Sequence, residues 1–235
     1  MSIFNTNRKV PISPFDEALK ISKKNGKDLE VANELFAYTT AIFTPTITKK
    51  ASKKILSLDL SRIETLAIAA EFCKPPVTPD ELCLISQIYV YAGAKYRKQA
   101  IQYITQFIPQ IDNYSGFPND LVENVDGVII DQHQANIATF YDYLGKCYEG
   151  EYDFQNALEA FQIGYSRAPY EVSGLLNISR IYMKQNKLDI ALEKLREGEK
   201  SEYYKGSYKE VLDRYISEME DKIRRGYIYR PRKKK

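Results

Sequence analysis

Apolar residues recur along most of this chain at intervals of three and four, the spacing that places side chains on one face of an α-helix. After Thr78, the residues Leu84, Ile88 and Tyr91 follow this spacing. No segment alternates apolar and polar residues for long enough to predict a strand. The short apolar run at residues 127–130 leads directly into a helical pattern and is interpreted as a loop or a helix entry. The pattern predicts an all-α protein.

The best internal boundary lies at Thr78. A Pro-Pro pair at residues 75–76 ends the preceding block, and Thr78-Pro79-Asp80-Glu81 has the form of a capping box with proline at the first helical position. Residues 1–77 are therefore predicted to form an N-terminal helical region of divergent repeats or a cap, with Ala67 on one helix face. Residues 78–226 are predicted to form the main helical unit.

Two segments of this unit repeat at a fixed distance of 34 residues. The first reads Tyr141-x2-Leu144-Gly145-x2-Tyr148, Ala157-x3-Phe161 and Pro169, and the second reads Leu175-x2-Ile178-Ser179-x2-Tyr182 and Ala191-x3-Leu195. This pattern resembles the tetratricopeptide repeat family, strongly over residues 138–205 and more weakly over residues 78–108. Tyr141 stands where that family usually has tryptophan.

The resemblance implies a right-handed superhelical stack of antiparallel helix pairs, an α-solenoid. Small residues such as Gly145, Ala157 and Ala191 would let helices approach closely, while Phe161 would fill the space between them. A helix at about residues 207–225, with Val211, Leu212, Tyr215, Met219 and Ile223 as its apolar stripe, is predicted to cap the end of the stack.

An insertion separates the weaker repeat from the first clear one. It covers approximately residues 109–131, and its helix-breaking residues are Pro109, Gly116, Pro118 and Gly127. It is also acidic and has no Lys or Arg, and its acidic residues are Asp112, Asp120, Glu123, Asp126 and Asp131. We interpret it as a loop that offers negative charge to a partner or, alternatively, as a solvated spacer.

The family resemblance also implies a site, because the first helix of each pair lines a groove that binds an extended peptide or a partner helix. The polar positions between the packing residues are Thr139, Asp142, Lys146 and Glu149 in one repeat and Ser173, Leu176, Asn177, Arg180 and Lys184 in the next. Asn177 is expected to bond a peptide backbone, and Lys146 and Arg180 to pair with acidic groups. The alternative is that these side chains are simply solvated, as Glu149 and Asp153 near a turn would be.

Charge is distributed unevenly along the chain. The formal net charge is +3, and eight cations fall in the last fourteen residues, which leaves +3 − 8 = −5 for residues 1–221. Residues 227–235 are predicted to form a basic, disordered tail. Because cations and tyrosines are mixed there, the tail is a candidate nucleic-acid contact through Arg230, Arg232, Lys233, Lys234 and Lys235; a solubilising terminus is the alternative.

The supply of reactive residues argues against catalysis. One histidine, His133, and three scattered cysteines give no metal-ligand spacing, and no phosphate-binding loop or nucleophile motif is present. We therefore expect no enzyme activity, no metal and no cofactor. The polar start and the absence of a long apolar run predict a cytoplasmic protein without membrane insertion.

Together these features predict an adaptor or scaffold that binds a protein or peptide in the groove of its repeats. The alternatives are a nucleic-acid-associated accessory protein that uses its basic tail, and a regulator that senses a peptide. The sequence does not predict the oligomeric state or the identity of the partner.

Overall fold

A computed structural model describes residue 67 and residues 78–231, and these residues are mostly helical. The α-helices between residues 78 and 231 are α1 Pro79–Tyr91, α2 Arg97–Ile111, α3 Gln132–Gly150, α4 Phe154–Arg167, α5 Val172–Lys184, α6 Leu188–Glu197 and α7 Gly206–Arg224. Short 3-10 turns precede α2 and follow α6. The predicted predominance of helix is confirmed. The predicted organisation of residues 1–77 lies outside the described residues, apart from Ala67, which is helical and buried.

The chain divides into two compact units between Tyr103 and Ile104, inside α2. In the first unit, α1 begins with the predicted capping box. The Glu81 N–H donates to Thr78 Oγ1 at 3.3 Å, and the Thr78 N–H donates to Glu81 Oε2 at 2.7 Å. These two bonds satisfy amide donors that have no partner within the helix, so the start of α1 is fixed by its own sequence.

In the second unit, α3 to α6 each pack against the next helix along the chain. The 34-residue period is present in the backbone of both connecting turns. Tyr152 and Asn186 have left-handed φ angles of 65° and 61°. In each case the following N–H donates across the turn at 2.9 Å, from Asp153 to the Tyr148 carbonyl and from Lys187 to the Tyr182 carbonyl. Equivalent sequence positions therefore adopt equivalent backbone conformations.

The small residues of the repeat lie at helix contacts, as predicted. A Cβ atom on Gly145 would lie 2.5 Å from the Phe161 ring, so α3 and α4 approach each other where only hydrogen fits. Ala157 and Ala191 have no exposed surface. Ser179 is also buried, and its hydroxyl donates to the Ala191 carbonyl at 3.1 Å, which satisfies the polar group inside the core.

The predicted C-terminal helix is present as α7, and Leu212 and Met219 of its predicted stripe are buried. Tyr208, Leu212, Ile216 and Met219 are buried and join the apolar cluster around Leu175, Ala191 and Leu195. Tyr215 was assigned to the buried stripe, yet it is 37% exposed. Spacings of four, four and three residues keep the buried set on one face, whereas Tyr215 lies on its flank.

The interpretation of residues 109–131 as a loop was wrong in two respects. α2 continues through Pro109 to Ile111, and two short antiparallel strands follow, β1 Leu121–Glu123 and β2 Ile129–Asp131. The turn is built around Asn124, whose Oδ1 accepts the N–H groups of Asp126 and Val128, both at 2.9 Å. The turn is centred on Asn124 and ends at Gly127. It pairs two apolar runs that are too short to be recognised as strands from the sequence alone.

Three of the five acidic residues of this insertion bond other residues of the chain. Asp131 caps α3 by accepting the Gln134 N–H at 3.0 Å, and Asp112 pairs with Arg167 at 2.8 Å. Asp126 accepts the Ser207 hydroxyl at 2.6 Å and the Ser207 N–H at 3.2 Å, at the start of α7. These hydrogen bonds lower the pKa of Asp126. The hairpin is therefore anchored to the last helix of its unit, which argues against a simple solvated spacer.

Candidate functional site

The six residues predicted to line the groove lie together. We call Asp142, Lys146, Glu149, Asn177, Arg180 and Lys184 the charged cluster; the first three lie on α3 and the other three on α5. Spacings of three and four residues along each helix bring each set of three to one helix face. The two faces meet, since hydrogen bonds and ion pairs connect α3 with α5.

Glu149 is the centre of one half of the cluster. Arg180 donates to both of its carboxylate oxygens, at 2.7 and 2.8 Å, and Lys184 Nζ lies 2.9 Å from Oε1. Only 10% of the Glu149 side chain is exposed. The interpretation of Glu149 as a surface charge was therefore wrong, because the paired arrangement of two repeats supplies the two cations that allow the carboxylate to be buried.

The protonation of Glu149 follows from the balance of burial and pairing. Burial is the largest single influence and would raise the pKa of Glu149. The hydrogen bonds and positive charges of Arg180 and Lys184 together outweigh it, so the pKa is lowered. Glu149 is thus a fixed negative charge at neutral pH, suited to holding cations in place and not to donating a proton.

Asp142 is the centre of the other half. It accepts a hydrogen bond from the Asn177 side-chain amide and forms an ion pair with Lys146. Asn177 is 5% exposed, whereas the Lys146 side chain is 53% exposed. The Asn177 side-chain amide donates to Asp142 here, and its bonding to a peptide backbone stays a prediction. Lys146 is the most exposed charge of this half.

A cavity of about 200 Å³ adjoins Asp142 between α3, α4 and α5. Small residues dominate its wall, and its polar lining includes Thr139, Ser173 and Glu171; the small lining residues are Ala135, Ala138, Gly164, Ala168 and Gly174. An engineered apolar cavity of about 150 Å³ admits benzene, so this one has room for a single side chain. Thr139 and Ser173 were predicted as groove residues, and both lie here.

The cavity and the charged cluster share one buried aromatic ring. Phe161 lines the cavity, and the Arg180 guanidinium carbon lies 5.8 Å from the centre of the same ring. The ring therefore supports Arg180 by a cation–π contact while Glu149 fixes its charged end. Leu176, the remaining predicted groove residue, packs against the apolar cluster of α5 to α7 instead.

The start of the predicted tail contacts the turn between α5 and α6. The Tyr229 N–H donates to Asn186 Oδ1 at 2.6 Å, and Asn186 Nδ2 donates to the Tyr229 carbonyl at 3.4 Å. Lys184 Nζ lies 5.7 Å from the centre of the Tyr229 ring. Arg230 is exposed. The other predicted nucleic-acid contacts, Arg232, Lys233, Lys234 and Lys235, lie outside the described residues.

The sequence contained no signal for the docking of Tyr229, because composition alone favoured a solvated terminus. Asn186 was missed for a related reason. It lies in a turn, whereas the repeat pattern marks positions on helix faces. Its left-handed conformation is one that asparagine tolerates better than most residues, which is the property that could have drawn attention to it.

Other candidate chemistry is sparse in the described part of the chain. No group of three His, Cys, Asp or Glu side chains among residues 67 and 78–231 is arranged to hold a metal ion. The side chains of Cys83 and Cys147 are buried. Over the same residues, each helix is too short or too polar to cross a membrane.

Comparison of the chain with protein-family models gives no match, and comparison with curated proteins gives none either.

Proposed function

We propose that the unit from residue 104 onward is a protein-binding module, in which the cavity and the charged cluster together bind a segment of a partner protein. The observation that carries this proposal is the convergence of side chains from α3 and α5, which belong to successive 34-residue repeats, at the edge of a cavity large enough for a side chain.

The chemistry of this surface favours a peptide ligand. The cavity offers mostly small apolar wall atoms. Asp142 lines the cavity and pairs with the exposed ammonium group of Lys146. A bound segment would place one apolar side chain in the cavity and an acidic group near Lys146. Because Asp142 and Glu149 already hold the cluster in position, little ordering is needed when the ligand arrives, which lowers the cost of association.

The proposal includes the arrangement of the repeats. Successive helix pairs are proposed to stack as a right-handed superhelix in the manner of tetratricopeptide repeats, with α7 as the cap. The equivalent turns at Tyr152 and Asn186 and the close contact of Gly145 with Phe161 support this arrangement. The chain would then act as an adaptor or scaffold and not as a catalyst.

The proposal is tested by filling the cavity without touching the ion pairs. Ser173→Trp places an indole at the exposed edge of the cavity, while Gln162→Trp adds the same group on an exposed position of α4 and serves as a control. Tagged full-length chains are used to capture proteins from native cell extract, and captured proteins are quantified by mass spectrometry. We expect specific partners to be retained by Q162W and lost with S173W.

Lys146→Glu provides an independent test of the charge. It reverses a largely exposed side chain and is expected to weaken capture of the same partners. Circular dichroism confirms that each variant is folded. If correctly folded S173W and K146E chains capture the same proteins in the same amounts as the unmodified chain, the cavity and cluster are not the binding site.

A further inference from the structure

One side chain in the turn between α5 and α6 forms two hydrogen bonds with the main chain of the C-terminal segment. Both polar groups of the Asn186 side chain bond the backbone of one residue, Tyr229, at 2.6 and 3.4 Å. The turn presents this amide rigidly, because the Asn186 N–H bonds the Met183 carbonyl at 3.0 Å. Such bonding recognises extended backbone and does not depend on which side chain the bound residue carries.

A second contact selects for an aromatic side chain. The Lys184 ammonium lies 5.7 Å from the centre of the Tyr229 ring, and the same ammonium lies 2.9 Å from Glu149 Oε1. The docked residue therefore contacts the charged cluster directly. In the equivalent turn one repeat earlier, Tyr152 takes the place of Asn186 and has no side-chain amide. The pair of hydrogen bonds from a side-chain amide is thus particular to the second turn.

The course of the chain brings the tail to this turn. α7 ends at Arg224, Gly226 has a φ of 64°, and the Tyr227 N–H returns to the Lys222 carbonyl at 2.9 Å. Two residues separate Gly226 from Tyr229. This short connection keeps the docked residue close to its site even when it dissociates, at an effective concentration on the order of millimolar.

We infer that the α5–α6 turn, with Asn186 and Lys184, is a binding site for an extended peptide that carries an aromatic residue, and that the segment around Tyr229 occupies it as a tethered ligand. An external peptide of the same kind must displace the tail. The inference rests on the proposed function in one respect, that peptide binding at this unit is what the tail would regulate.

The test uses the full-length chain and a fluorescein-labelled synthetic peptide with the sequence of residues 226–235. Tyr229→Ala removes the ring that contacts Lys184, which weakens the docking of the tail, and leaves Asn186 and Lys184 unchanged. Tyr227→Ala is the matched control, since it removes an exposed tyrosine two residues away. Fluorescence anisotropy is expected to show the peptide binding the Y229A chain about three- to fivefold more tightly than the unmodified chain, with Y227A unchanged.

Two further arms identify the site. Combining Tyr229→Ala with Asn186→Gly removes the amide while keeping a residue that accepts positive φ, and peptide binding should be lost. A peptide with alanine at the position of Tyr229 has the same charge and should bind the Y229A chain more weakly. Equal affinity of the unmodified and Y229A chains overturns the inference, as does full binding by the Y229A/N186G chain.

The outcome is separable from that of the proposed function. If the peptide measurements fail while S173W still loses captured partners, only the tail inference is wrong. If the peptide binds as expected and capture is indifferent to S173W and K146E, the cavity is not the partner site although the tail site stands.

Discussion

Replacing Arg180 with methionine tests whether the charged cluster holds α3 and α5 together. The guanidinium makes two short hydrogen bonds to a carboxylate that is only 10% exposed. Methionine keeps much of the apolar stem of the arginine side chain but supplies no charge. The variant therefore measures how much the free energy of unfolding falls when Glu149 stays buried but loses the two hydrogen bonds from Arg180.

The expected loss follows from the geometry. Removing one partner of a fully buried pair typically costs about 3–5 kcal/mol, because the remaining charge is left uncompensated. Two features reduce that figure here. Lys184 still lies 2.9 Å from Glu149, and the Arg180 side chain is 35% exposed, so water reaches part of the site. We expect R180M to lower the free energy of unfolding by about 1–3 kcal/mol.

Urea unfolding followed by circular dichroism at 222 nm measures this change, and the chain provides a matched control. Arg196 pairs with Glu220 at 2.6 Å, but both side chains are exposed, at 54% and 41%. Arg196→Met should therefore cost only about 0–1 kcal/mol. A result in which R180M and R196M have the same small effect would refute the reasoning that burial makes the Glu149 pair important.

The pH dependence gives a second check. The pKa of Glu149 is lowered in the folded state, so its pairing contributes stability above its ordinary pKa of 4.5, and this contribution is lost as the pH falls through the lower folded value. The difference between R180M and the unmodified chain should consequently shrink as the pH is lowered below 4.5. A difference that stays constant into acid would assign the effect to packing.

Three further predictions concern other parts of the molecule. Gly145→Ala should lower stability by about 1–3 kcal/mol in urea unfolding, because the new methyl group would overlap the Phe161 ring. Asp126→Asn should speed amide hydrogen exchange in β1 and β2 by weakening the anchor at Ser207; the unmodified hairpin should loosen similarly only below about pH 3.8, since the pKa of Asp126 is lowered. If the tail contacts nucleic acid, glutamine at position 230 and at 232–235 should abolish retention on RNA or DNA and its salt dependence.

The helices of the second unit could be predicted from the sequence because the repeat fixes several quantities at once. Small residues such as Gly145 mark where helices touch, large ones such as Phe161 mark what they touch, and the constant distance of 34 residues fixes the turns. Each of these requirements involves near neighbours on one or two helices. The signature therefore carried enough information to locate α3 to α6.

The pairing of residues within the charged cluster was not predicted, although the sequence spacing of the paired residues is close to the repeat period. Asn177 follows Asp142 by 35 residues, and Arg180 follows Glu149 by 31, which is one period plus one or minus three. Such offsets join the matching faces of α3 and α5. Reading each helix alone identifies polar positions but does not reveal that the positions of one repeat neutralise those of the next.

The hairpin and the docked tail were missed because their structure depends on contacts between distant segments. β1 has three residues, all exposed, and its pairing with β2 becomes visible only through the Asp126-Gly127 turn signal between two short apolar runs. Tyr229 meets Asn186 across 43 residues through main-chain atoms. Because almost any residue can form such main-chain hydrogen bonds, the identity of the bound residue gives almost no indication of them.

The charge balance of the cluster connects its two proposed roles. Lys146, Arg180 and Lys184 face only two carboxylates, Asp142 and Glu149, so the sum is 3 − 2 = +1. Arg180 and Lys184 share the single carboxylate of Glu149, and the Lys184 ammonium also lies 5.7 Å from the centre of the Tyr229 ring. A ligand that brings a carboxylate to Lys184 would therefore compete with the tail, whereas one that only fills the cavity beside Asp142 would bind with the tail in place.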